Sequence, residues 1–390
     1  MIEASATTEA SRKLRYGMVG GGQGSFIGDV HRKSIGLDGL AEIVAGCFSR
    51  SMDNTQATGR SLGIAEDRLY KDFEEMAAKE AVRKDGIDFV VIVTPNYQHY
   101  ASAKAFLAKG IHVVCDKPLT FEVAEAEELA AMAKKNNLLF AVTYTYTGYP
   151  AVKHAREMIK QGDIGDVCFV NAEYPQEWLA APLEKEGQKQ ASWRADPKFS
   201  GKSNCVGDIG SHAENLVSYV TGLRIKSICA RLDHFGADRV LDDNASIMVE
   251  YKGGAKGLYW SSQIAIGCDN ALRIRVFGTK GSIQWSQENP NYLLVSKLGE
   301  ATQTLSRGRD AFYPHAQSYS RVPSGHPEGY FEAFGNIYKT FISALQKFKA
   351  GSKPSAAEMD FPSVEMGIDG VKFIGKCVES SQKGAVWLDF

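Results

Sequence analysis

The most constraining feature of this chain is an alternation of short apolar runs with amphipathic stretches between Leu14 and Val142. The apolar runs predict five strands, at Leu14–Val19, Glu42–Phe48, Phe89–Val93, His112–Cys115 and Leu138–Val142. The stretches between them predict helices at Met52–Leu62, Asp72–Lys79, Tyr97–Lys109 and Phe121–Lys135. Asp72, in a capping box with Glu75, is the N-cap candidate for the second helix, and Thr120 is the candidate for the fourth. Such an alternation produces a doubly wound parallel sheet, and ligands bind beyond the carboxyl ends of its strands.

The pattern changes after Pro150. A helix at Ala151–Gln161 and a strand at Val167–Tyr174 precede a series of strand-like runs with no long helix between them. These runs are Ile225–Asp233, Ala245–Tyr251, Gly257–Gln263, Leu272–Phe277, Ser282–Ser286 and Tyr292–Lys297. They predict an α+β domain with a large, open, mainly antiparallel sheet, and helices at Tyr330–Lys347 and Ser363–Ser380 close the chain.

A glycine-rich turn follows the first predicted strand and opens a helix. Glycines at this position let the backbone approach a pyrophosphate, whose charge is met by the helix N-terminus. Gly20 and Gly22 match the first two positions of G-x-G-x-x-G, and Ser25 takes the third. The turn therefore predicts a dinucleotide site, with NAD or NADP as the cofactor, formed by Gly20, Gly22, Gln23, Gly24, Ser25, Phe26 and Ile27.

The end of the second strand bears on the choice of cofactor. An acid there holds the ribose 2′-hydroxyl of NAD, but this strand ends in Ser49 and Arg50. A hydroxyl and a guanidinium suit the 2′-phosphate of NADP. Alternatively, Arg50 is a solvated cation at a helix start or stacks on the adenine, so the choice between NAD and NADP stays open.

Thr94, Pro95, Asn96 and His99 follow the third strand. The proline stops the strand and turns the chain across the sheet edge, where a nicotinamide would lie. Asn96 and His99 are then expected to contact its ribose or carboxamide. The alternative is a plain helix start with Asn96 as its cap.

Two further motifs carry groups suited to proton transfer. Asp116-Lys117-Pro118 follows the strand at His112–Cys115, and Asp208 and His212 stand four residues apart in Gly207-Asp208-Ile209-Gly210-Ser211-His212. A histidine with an ordinary pKa near ~6.5 and a lysine at a strand end suit the oxidation of an alcohol. The alternative is a solvated lysine and a pair that only stabilises a helix.

Five motifs follow one another along the chain: Gly20/Gly22, Thr94-Pro95-Asn96-x-x-His99, Asp116-Lys117-Pro118, Trp193-Arg194 and Gly207–His212. In these motifs and their order the chain resembles the glucose–fructose oxidoreductase / inositol dehydrogenase (Gfo/Idh/MocA) family. The resemblance covers about residues 14 to 380. The family's usual Glu-Lys-Pro is Asp-Lys-Pro here, and its usual Gly-Gly before the aspartate is Cys205-Val206. The resemblance implies an N-terminal Rossmann domain and NAD(P)-dependent oxidoreductase activity.

The resemblance also implies roles for individual residues. Lys117, beside Asp116 at the cofactor, polarises the reacting hydroxyl, and His212 accepts its proton as hydride leaves the same carbon. Asp208 is expected to orient His212 or the substrate hydroxyls. Expected substrate contacts besides these are Tyr146, Trp193, Arg194 and His326, the last with Glu328 near it. The alternatives are that the aromatic residues only lie on the rim of the cleft, that Arg194 forms a surface ion pair, and that the segment around His326 caps a helix.

Together these motifs predict a dehydrogenase acting on a secondary hydroxyl of a cyclic polyol, sugar or sugar derivative. One alternative is a glycoside-cleaving enzyme that retains its cofactor and works through a transient keto-sugar. Another is a non-catalytic nucleotide sensor, which would have no need of Lys117, Asp208 and His212.

Composition excludes several other classes of partner. A net charge of −1 with interspersed signs gives no reason to expect nucleic acid or a membrane surface. The seven cysteines are scattered without any Cys-x-x-Cys, which predicts free thiols in the reducing cytoplasm. Met1–Lys13 has no apolar stretch, so a secretory signal is not expected. Except in the Asp208/His212 pair, the histidines are isolated from other metal ligands, so no metal site is predicted.

A length of 390 residues predicts two domains, since single cores rarely grow beyond ~250–300 residues. We expect a flexible N-terminus at 1–13, the dinucleotide-binding domain at 14–148, and a substrate-binding and oligomerisation domain at 149–390. Because an open sheet with one uncovered face pairs readily with its copy, we expect a homodimer or homotetramer through the C-terminal sheet.

Overall fold

The computed structural model of the protein describes residues 12–390. The predicted flexible terminus at 1–13 lies outside the described residues except for its last two. Of these, Arg12 donates two hydrogen bonds to the carboxylate of Asp88, at 2.9 and 2.8 Å.

The first part of the chain forms a five-stranded parallel sheet in the order β2-β1-β3-β4-β5. Its elements, in chain order, are β1 (Leu14–Gly20), α1 (Phe26–Gly36), β2 (Ala41–Cys47), α2 (Met52–Ser61), α3 (Phe73–Glu80), β3 (Phe89–Val93), α4 (His99–Leu107), β4 (His112–Cys115), α5 (Val123–Lys135) and β5 (Phe140–Val142). All five residues of β3 are buried, as its unbroken apolar run requires. The strand order reverses beside β1, and a ligand crevice is expected where it does so, at the carboxyl ends of the strands.

The remaining strands form a nine-stranded sheet in the order β13-β12-β11-β10-β6-β9-β8-β7-β14. Neighbours are antiparallel except β6 and β9, which run parallel. The elements are α6 (Pro150–Gln161), β6 (Val167–Pro175), α7 (Lys189–Arg194), α8 (Pro197–Ser200), α9 (Ser211–Thr221), β7 (Ile225–Asp233), β8 (Asn244–Tyr251), β9 (Lys256–Ser262), β10 (Arg273–Gly278), β11 (Gly281–Ser286), β12 (Tyr292–Lys297), β13 (Gln303–Ser306), α10 (Pro314–Gln317), α11 (Tyr330–Lys349), α12 (Val364–Gln382) and β14 (Leu388–Asp389).

The large sheet is covered on one face. Residues of α6 and α9 share a buried core with the inward side chains of its strands, such as Ile274 and Val276. Along β8 and β9 the opposite face exposes Met248, Leu258 and Trp260. The predicted fold class is confirmed: an α/β domain with a parallel sheet is followed by an α+β domain with a large, mainly antiparallel sheet.

The last two helices return to the first sheet. Phe341 of α11 packs edge-on against Phe89 of β3, with ring centroids 5.4 Å apart. Ahead of α12, the carbonyl of Pro362 accepts from the Val142 amide at 2.9 Å. At the start of α11, Tyr330 and Phe334 line the same cavity as Val93 at the carboxyl end of β3.

Some local predictions differ from the structure. Asp72 caps α3 as predicted, through the Glu75 amide at 2.7 Å, but Glu75 accepts from the Lys71 amide instead of closing a box with Asp72. The N-cap of α5 is Glu122, in a capping box with Glu125, and the hydroxyl of Thr120 donates to the Glu122 carbonyl at 2.8 Å. None of the helices in residues 12–390 is both long and apolar enough to cross a membrane.

Candidate active site

A cleft of about 1090 Å³ lies at the carboxyl edge of the first sheet, between it and the large sheet. It brings together most of the predicted site residues from both halves of the chain. Those that line it are Gly20, Gly22, Gln23, Ser25, Phe26, Ile27, Ser49, Arg50, Thr94, Pro95, Asn96, Asp116, Lys117, Tyr146, Trp193, Arg194, Asp208 and His212. Gly24, His99 and His326 do not line it.

The glycine turn joins β1 to α1 at one end of this cleft. Ser25 caps α1, accepting from the Gly28 amide at 3.4 Å. Gly28 packs so closely on the turn that a Cβ at this position would lie 2.3 Å from the Cα of Gly21. The helix–turn contact usually made at the third motif glycine is therefore made at Gly28, three residues beyond Ser25. The N-terminus of α1 is left facing the cleft, where it suits a pyrophosphate.

The end of β2 forms the adjoining wall. The Ser49 hydroxyl accepts from the Ser51 amide at 3.2 Å, and Arg50 is exposed. Lys71 and Asp72 line the same wall, and one Asp72 oxygen is engaged in capping α3. At the end of β2 itself, Ser49 and Arg50 stand where an NAD-specific enzyme commonly has an acid, and the carboxylate on this wall is that of Asp72.

Asn96 lines the cleft as expected, but His99 does not. Its Nδ1 lies 2.8 Å from the Pro118 carbonyl and its Nε2 lies 2.9 Å from the Thr94 carbonyl. Both ring nitrogens thus face backbone carbonyls, and a neutral ring can donate to one of the two. Burial lowers the pKa of His99. The expected contact of His99 with the cofactor is replaced by a structural one, which ties the end of β3 to the Lys117-Pro118 turn.

Asp116 lies beside this turn, on the cleft wall. Its Oδ1 accepts from the Thr143 hydroxyl at 2.6 Å and from the Lys117 amide at 3.1 Å. Its Oδ2 lies 3.9 Å from Nε2 of His31, which burial holds neutral by lowering its pKa to about 4.

Lys117 and Asp208 meet in the centre of the cleft. The Lys117 ammonium donates to the Asp208 carbonyl at 2.5 Å and to its Oδ1 at 3.1 Å. Oδ2 of Asp208 accepts from Gln263 at 3.0 Å and lies 3.2 Å from Arg194 Nε. Although burial alone would raise the pKa of Asp208, the charges of Arg194 and Lys117 hold it well below its usual range.

Asp208 was expected to orient either His212 or the substrate hydroxyls. The chain from Val206 to Gly210 is a π-helical turn that precedes α9, so Asp208 and His212 are not successive positions on one regular α-helix face. The carboxylate is occupied by Lys117, Gln263 and Arg194 instead.

His212 is buried in a ring of tyrosines. Its imidazole packs edge-on against Tyr146, with ring centroids 4.7 Å apart, and against Tyr144 at 5.8 Å. Burial, reinforced by the charge of Lys117, lowers the pKa of His212 well below its ordinary range, and Asp208 opposes this only in part. His212 is therefore neutral, in its proton-accepting form, at physiological pH.

The floor of the cleft carries polar groups that the sequence did not single out. The Tyr146 and Tyr174 hydroxyls are hydrogen-bonded to each other, and Tyr174 donates to Oδ1 of Asn270 at 2.7 Å. Gln176 donates to the same oxygen at 2.6 Å. Tyr174 and Gln176 could have been found from the sequence, because they lie at the polar end of the predicted strand at Val167–Tyr174. Asn270 lies in a loop that carries no motif.

Arg194 lines the cleft but is already engaged. Its guanidinium lies 4.2 Å from the Trp193 ring and donates to Oε1 of Gln190 at 2.7 Å. His326 is exposed and lines a neighbouring hollow, not this cleft. Glu328, expected near it, is buried and paired with Arg307 at 2.8 Å. Within residues 12–390, no three His, Cys, Asp or Glu side chains are grouped so as to hold a metal ion.

Comparison with known proteins agrees with this geometry. The model of an oxidoreductase family with an NAD-binding Rossmann fold matches residues 14–144, and that of the GFO/IDH/MocA C-terminal domain matches residues 152–284. The chain belongs to the Gfo/Idh/MocA oxidoreductase family. The resemblance noted from the motifs is thereby confirmed, and with it an NAD-binding oxidoreductase.

Similar proteins in this family cover almost the whole chain. The uncharacterized oxidoreductase YfiI of Bacillus subtilis is 36% identical, over 97% of this chain and 98% of that protein. The crystal structure of an inositol dehydrogenase homolog from Azotobacter vinelandii, complexed with NAD+, is 37% identical, with a TM-score of 0.93 over 97% of this chain and 98% of that one. Levoglucosan dehydrogenase of Pseudarthrobacter phenanthrenivorans is 26% identical, over 97% and 98% of the two chains.

Proposed function

We propose that this protein is an NAD(P)-dependent dehydrogenase that reversibly oxidises a secondary hydroxyl of a cyclic polyol, sugar or sugar derivative to the ketone. The observation that carries the proposal is the convergence of Lys117, Asp208 and His212 in the cleft that the glycine turn also lines. The inositol dehydrogenase homolog and levoglucosan dehydrogenase among the similar proteins support this substrate class.

The bound nicotinamide supplies the acceptor for hydride, and the residues of the chain manage the proton. A lysine ammonium has three N–H donors, and Asp208 receives two of those of Lys117. The third is free to donate to the substrate hydroxyl and stabilise its developing negative charge. Neutral His212 accepts the hydroxyl proton. A low pKa makes His212 a weak base, so it depends on Lys117 to acidify the hydroxyl.

Polar groups around the reacting hydroxyl support a polyhydroxylated substrate. Tyr146, Gln176 and Asn270 line the cleft next to His212, and Trp178 and Trp193 offer flat faces. Groups that bond several hydroxyls reject a substrate lacking them, because the unmatched polar groups would be left buried without partners.

We propose that the enzyme accepts both NAD and NADP. Arg50 and Lys71 line the wall at the end of β2 and can pair with a 2′-phosphate, while Ser49 can bond an unphosphorylated ribose. The NAD+ bound to the Azotobacter vinelandii homolog supports the first cofactor.

The exposed face of the large sheet supports assembly into a homodimer or homotetramer. Met248, Leu258 and Trp260 lie on β8 and β9, and the face continues to Phe277 of β10 and Leu294 of β12, all 37–45% exposed. An apolar sheet face of this extent suits pairing with a second copy. Free cysteines at all seven positions support a cytoplasmic location.

The proposed activity is tested by following absorbance of the reduced nicotinamide. The purified protein is assayed against inositols, aldoses, anhydrosugars, glycosides and acidic sugars, with NAD and NADP supplied separately. We expect turnover with a polyol or sugar, lost in Lys117→Ala and in His212→Ala. Cofactor binding without turnover of any compound would overturn the proposal, and glycoside cleavage with no net change in absorbance would replace it with the redox-cycling alternative.

A further inference from the structure

A second hollow, of about 760 Å³, adjoins the cleft. Asp269, Asn270, Gln287 and Tyr330 line both spaces. The two are therefore separated by a single layer of side chains, and Asp269 in that layer is exposed. The volume lies within the ~300–1,000 Å³ typical of small-molecule sites.

The floor beneath both spaces is continuous. Tyr146 of the cleft and Tyr149 of the second hollow are stacked, with ring centroids 6.4 Å apart and planes 10° from parallel. Above them Asn270 donates to Oε1 of Gln287 at 3.1 Å. The rings of Tyr146 and Tyr149 are buried, so a ligand crossing this layer meets the half-buried amide groups of Asn270 and Gln287, which can hydrogen-bond sugar hydroxyls.

The charges around the second hollow disfavour an anionic ligand. Arg307 lines it, but its guanidinium is used by Glu328, Asn291 and backbone carbonyls. Among the described lining residues this leaves His326 as the only other basic side chain, opposite the acidic Asp269 and Glu288. A phosphate or carboxylate would find no free strong cation here.

A buried acceptor is also available. Oε1 of Glu328 accepts from Arg307 and from the amides of Arg321 and Val322, at 2.8, 2.7 and 3.0 Å. Its Oε2 is buried and has no hydrogen-bond partner within the described residues. A hydroxyl group entering the hollow is a donor of the kind that this oxygen lacks.

We propose that the second hollow is a subsite for a second, uncharged ring, so that the substrate is a disaccharide or glycoside oxidised on the ring held beside His212. This inference rests on the proposed function and adds the size and charge of the substrate to it. Tyr292, which lines the hollow and is 40% exposed, offers a face on which the second ring packs.

The test uses the full-length enzyme loaded with NADH and the neutral disaccharides cellobiose and maltose, whose two rings give distinct NMR signals. Saturation-transfer NMR reports which ring of each sugar contacts the protein. Asn289→Trp fills the hollow from its exposed rim, Tyr292→Ala removes the packing face, and Glu300→Trp places the same bulk on an exposed turn outside both spaces. Kinetics with NAD are compared for a disaccharide and the corresponding methyl glycoside.

We expect saturation of both rings in the wild type and in Glu300→Trp, and of one ring in Asn289→Trp. We also expect kcat/KM for the disaccharide to fall at least tenfold in Asn289→Trp and in Tyr292→Ala. In both variants kcat/KM for the methyl glycoside should stay within twofold of the wild-type value. Contact with one ring throughout, or equal loss for both substrates, would overturn the subsite but not the dehydrogenase. Absence of both binding and turnover for every sugar would overturn both.

Discussion

The side-chain ammonium of Lys117 is held by Asp208, 91 positions later in the chain, through its carbonyl at 2.5 Å and its carboxylate at 3.1 Å. The lysine follows a strand of the first sheet, and the aspartate lies in the π-helical turn before α9. The ammonium that we propose polarises the substrate hydroxyl thus follows a strand of one sheet and is held by the turn before a helix that packs on the other.

Asp208→Asn removes the charge that positions Lys117 and keeps its backbone carbonyl. We expect kcat to fall about ten- to hundredfold, because a hydrogen bond between charged groups is worth about 1.5–3 kcal/mol. The dissociation constant of NAD, measured by fluorescence, should change little. The same substitution at exposed Asp53 is the control. An unchanged kcat in Asp208→Asn would show that Asp208 does not position Lys117.

The titration of His212 should respond in opposite directions to its two charged neighbours. Asp208 raises the pKa of His212 and Lys117 lowers it, against a larger lowering by burial. We therefore expect the pKa to fall further in Asp208→Asn and to move towards its ordinary value of ~6.5 in Lys117→Met. NMR titration of the ring Cε1–H, assigned with His212→Gln, measures each value. The wild-type acid limb of kcat/KM should lie well below pH ~6.5, and a limb at or above it would contradict the burial of a neutral His212.

Gly28→Ala tests the contact between α1 and the glycine turn. A Cβ there would lie 2.3 Å from Cα of Gly21, so the turn must move away from the position that receives the pyrophosphate. We expect NAD to bind at least about tenfold more weakly, a change of about 1.4 kcal/mol, by isothermal calorimetry. Gly36→Ala at the other end of the same helix is the matched control, because its Cβ would meet nothing within 4 Å. Equal affinities in the two variants would disprove the close contact.

Arg50→Ala tests cofactor choice. We expect kcat/KM for NADP to fall about tenfold or more, because a charge-assisted hydrogen bond to the 2′-phosphate is lost, while that for NAD stays within about twofold. Arg60→Ala removes an exposed arginine from the end of α2 and should alter neither value. Equal losses for the two cofactors would assign Arg50 to the adenine or to solvent.

Asp360→Ala should strongly destabilise the fold. Asp360 is buried and pairs with Lys153 at 2.8 Å, Arg156 at 2.5 Å and His315 at 3.0 Å. Removing it leaves Lys153 as a buried, unpaired cation, which costs about 3–5 kcal/mol in urea unfolding. Glu358 lies two residues before Asp360 and forms an exposed ion pair with Lys347. The substitution Glu358→Gln should therefore leave the unfolding curve unchanged.

The pH dependence of stability follows from the same cluster. Burial alone would raise the pKa of Asp360, but Lys153, His315 and Arg156 together lower it well below its ordinary range. Because the folded-state pKa is depressed, the stabilisation is present above the unfolded value of ~3.9 and is lost as the pH falls below it. As the pH falls from ~5, the free energy of unfolding should therefore decrease less steeply in Asp360→Ala than in the wild type.

Several predictions depended on local pattern and were confirmed for that reason. The alternation of buried strands and amphipathic helices predicts the parallel sheet, and the runs from Ile225 onward predict the antiparallel one. Asp72 caps its helix through a hydrogen bond three residues away. Each of these outcomes is decided by a short stretch of chain.

Other predictions failed where the outcome depended on a distant partner. His99 was expected at the cofactor, but its ring is buried between the carbonyl of Thr94 in its own motif and that of Pro118, 19 residues later. His326 was expected to contact the substrate, but it lines a neighbouring hollow, and Arg307 holds the adjacent Glu328 in the interior. Neither Pro118 nor Arg307 is indicated by the motif around the residue that it contacts.

The sequence alone predicted the two sheets, the glycine turn, the family and most of the polar residues that meet in the cleft. It could do so because periodicity, turn chemistry and motif order are properties that can be read along the chain. Only the tertiary structure decided that Asp208 serves Lys117 instead of His212, that Gly28 makes the close contact with the turn, and that a second hollow adjoins the cleft. These features arise where segments far apart in the chain pack together, and the hydrogen bonds that buried polar groups must make there depend on the neighbours that packing supplies.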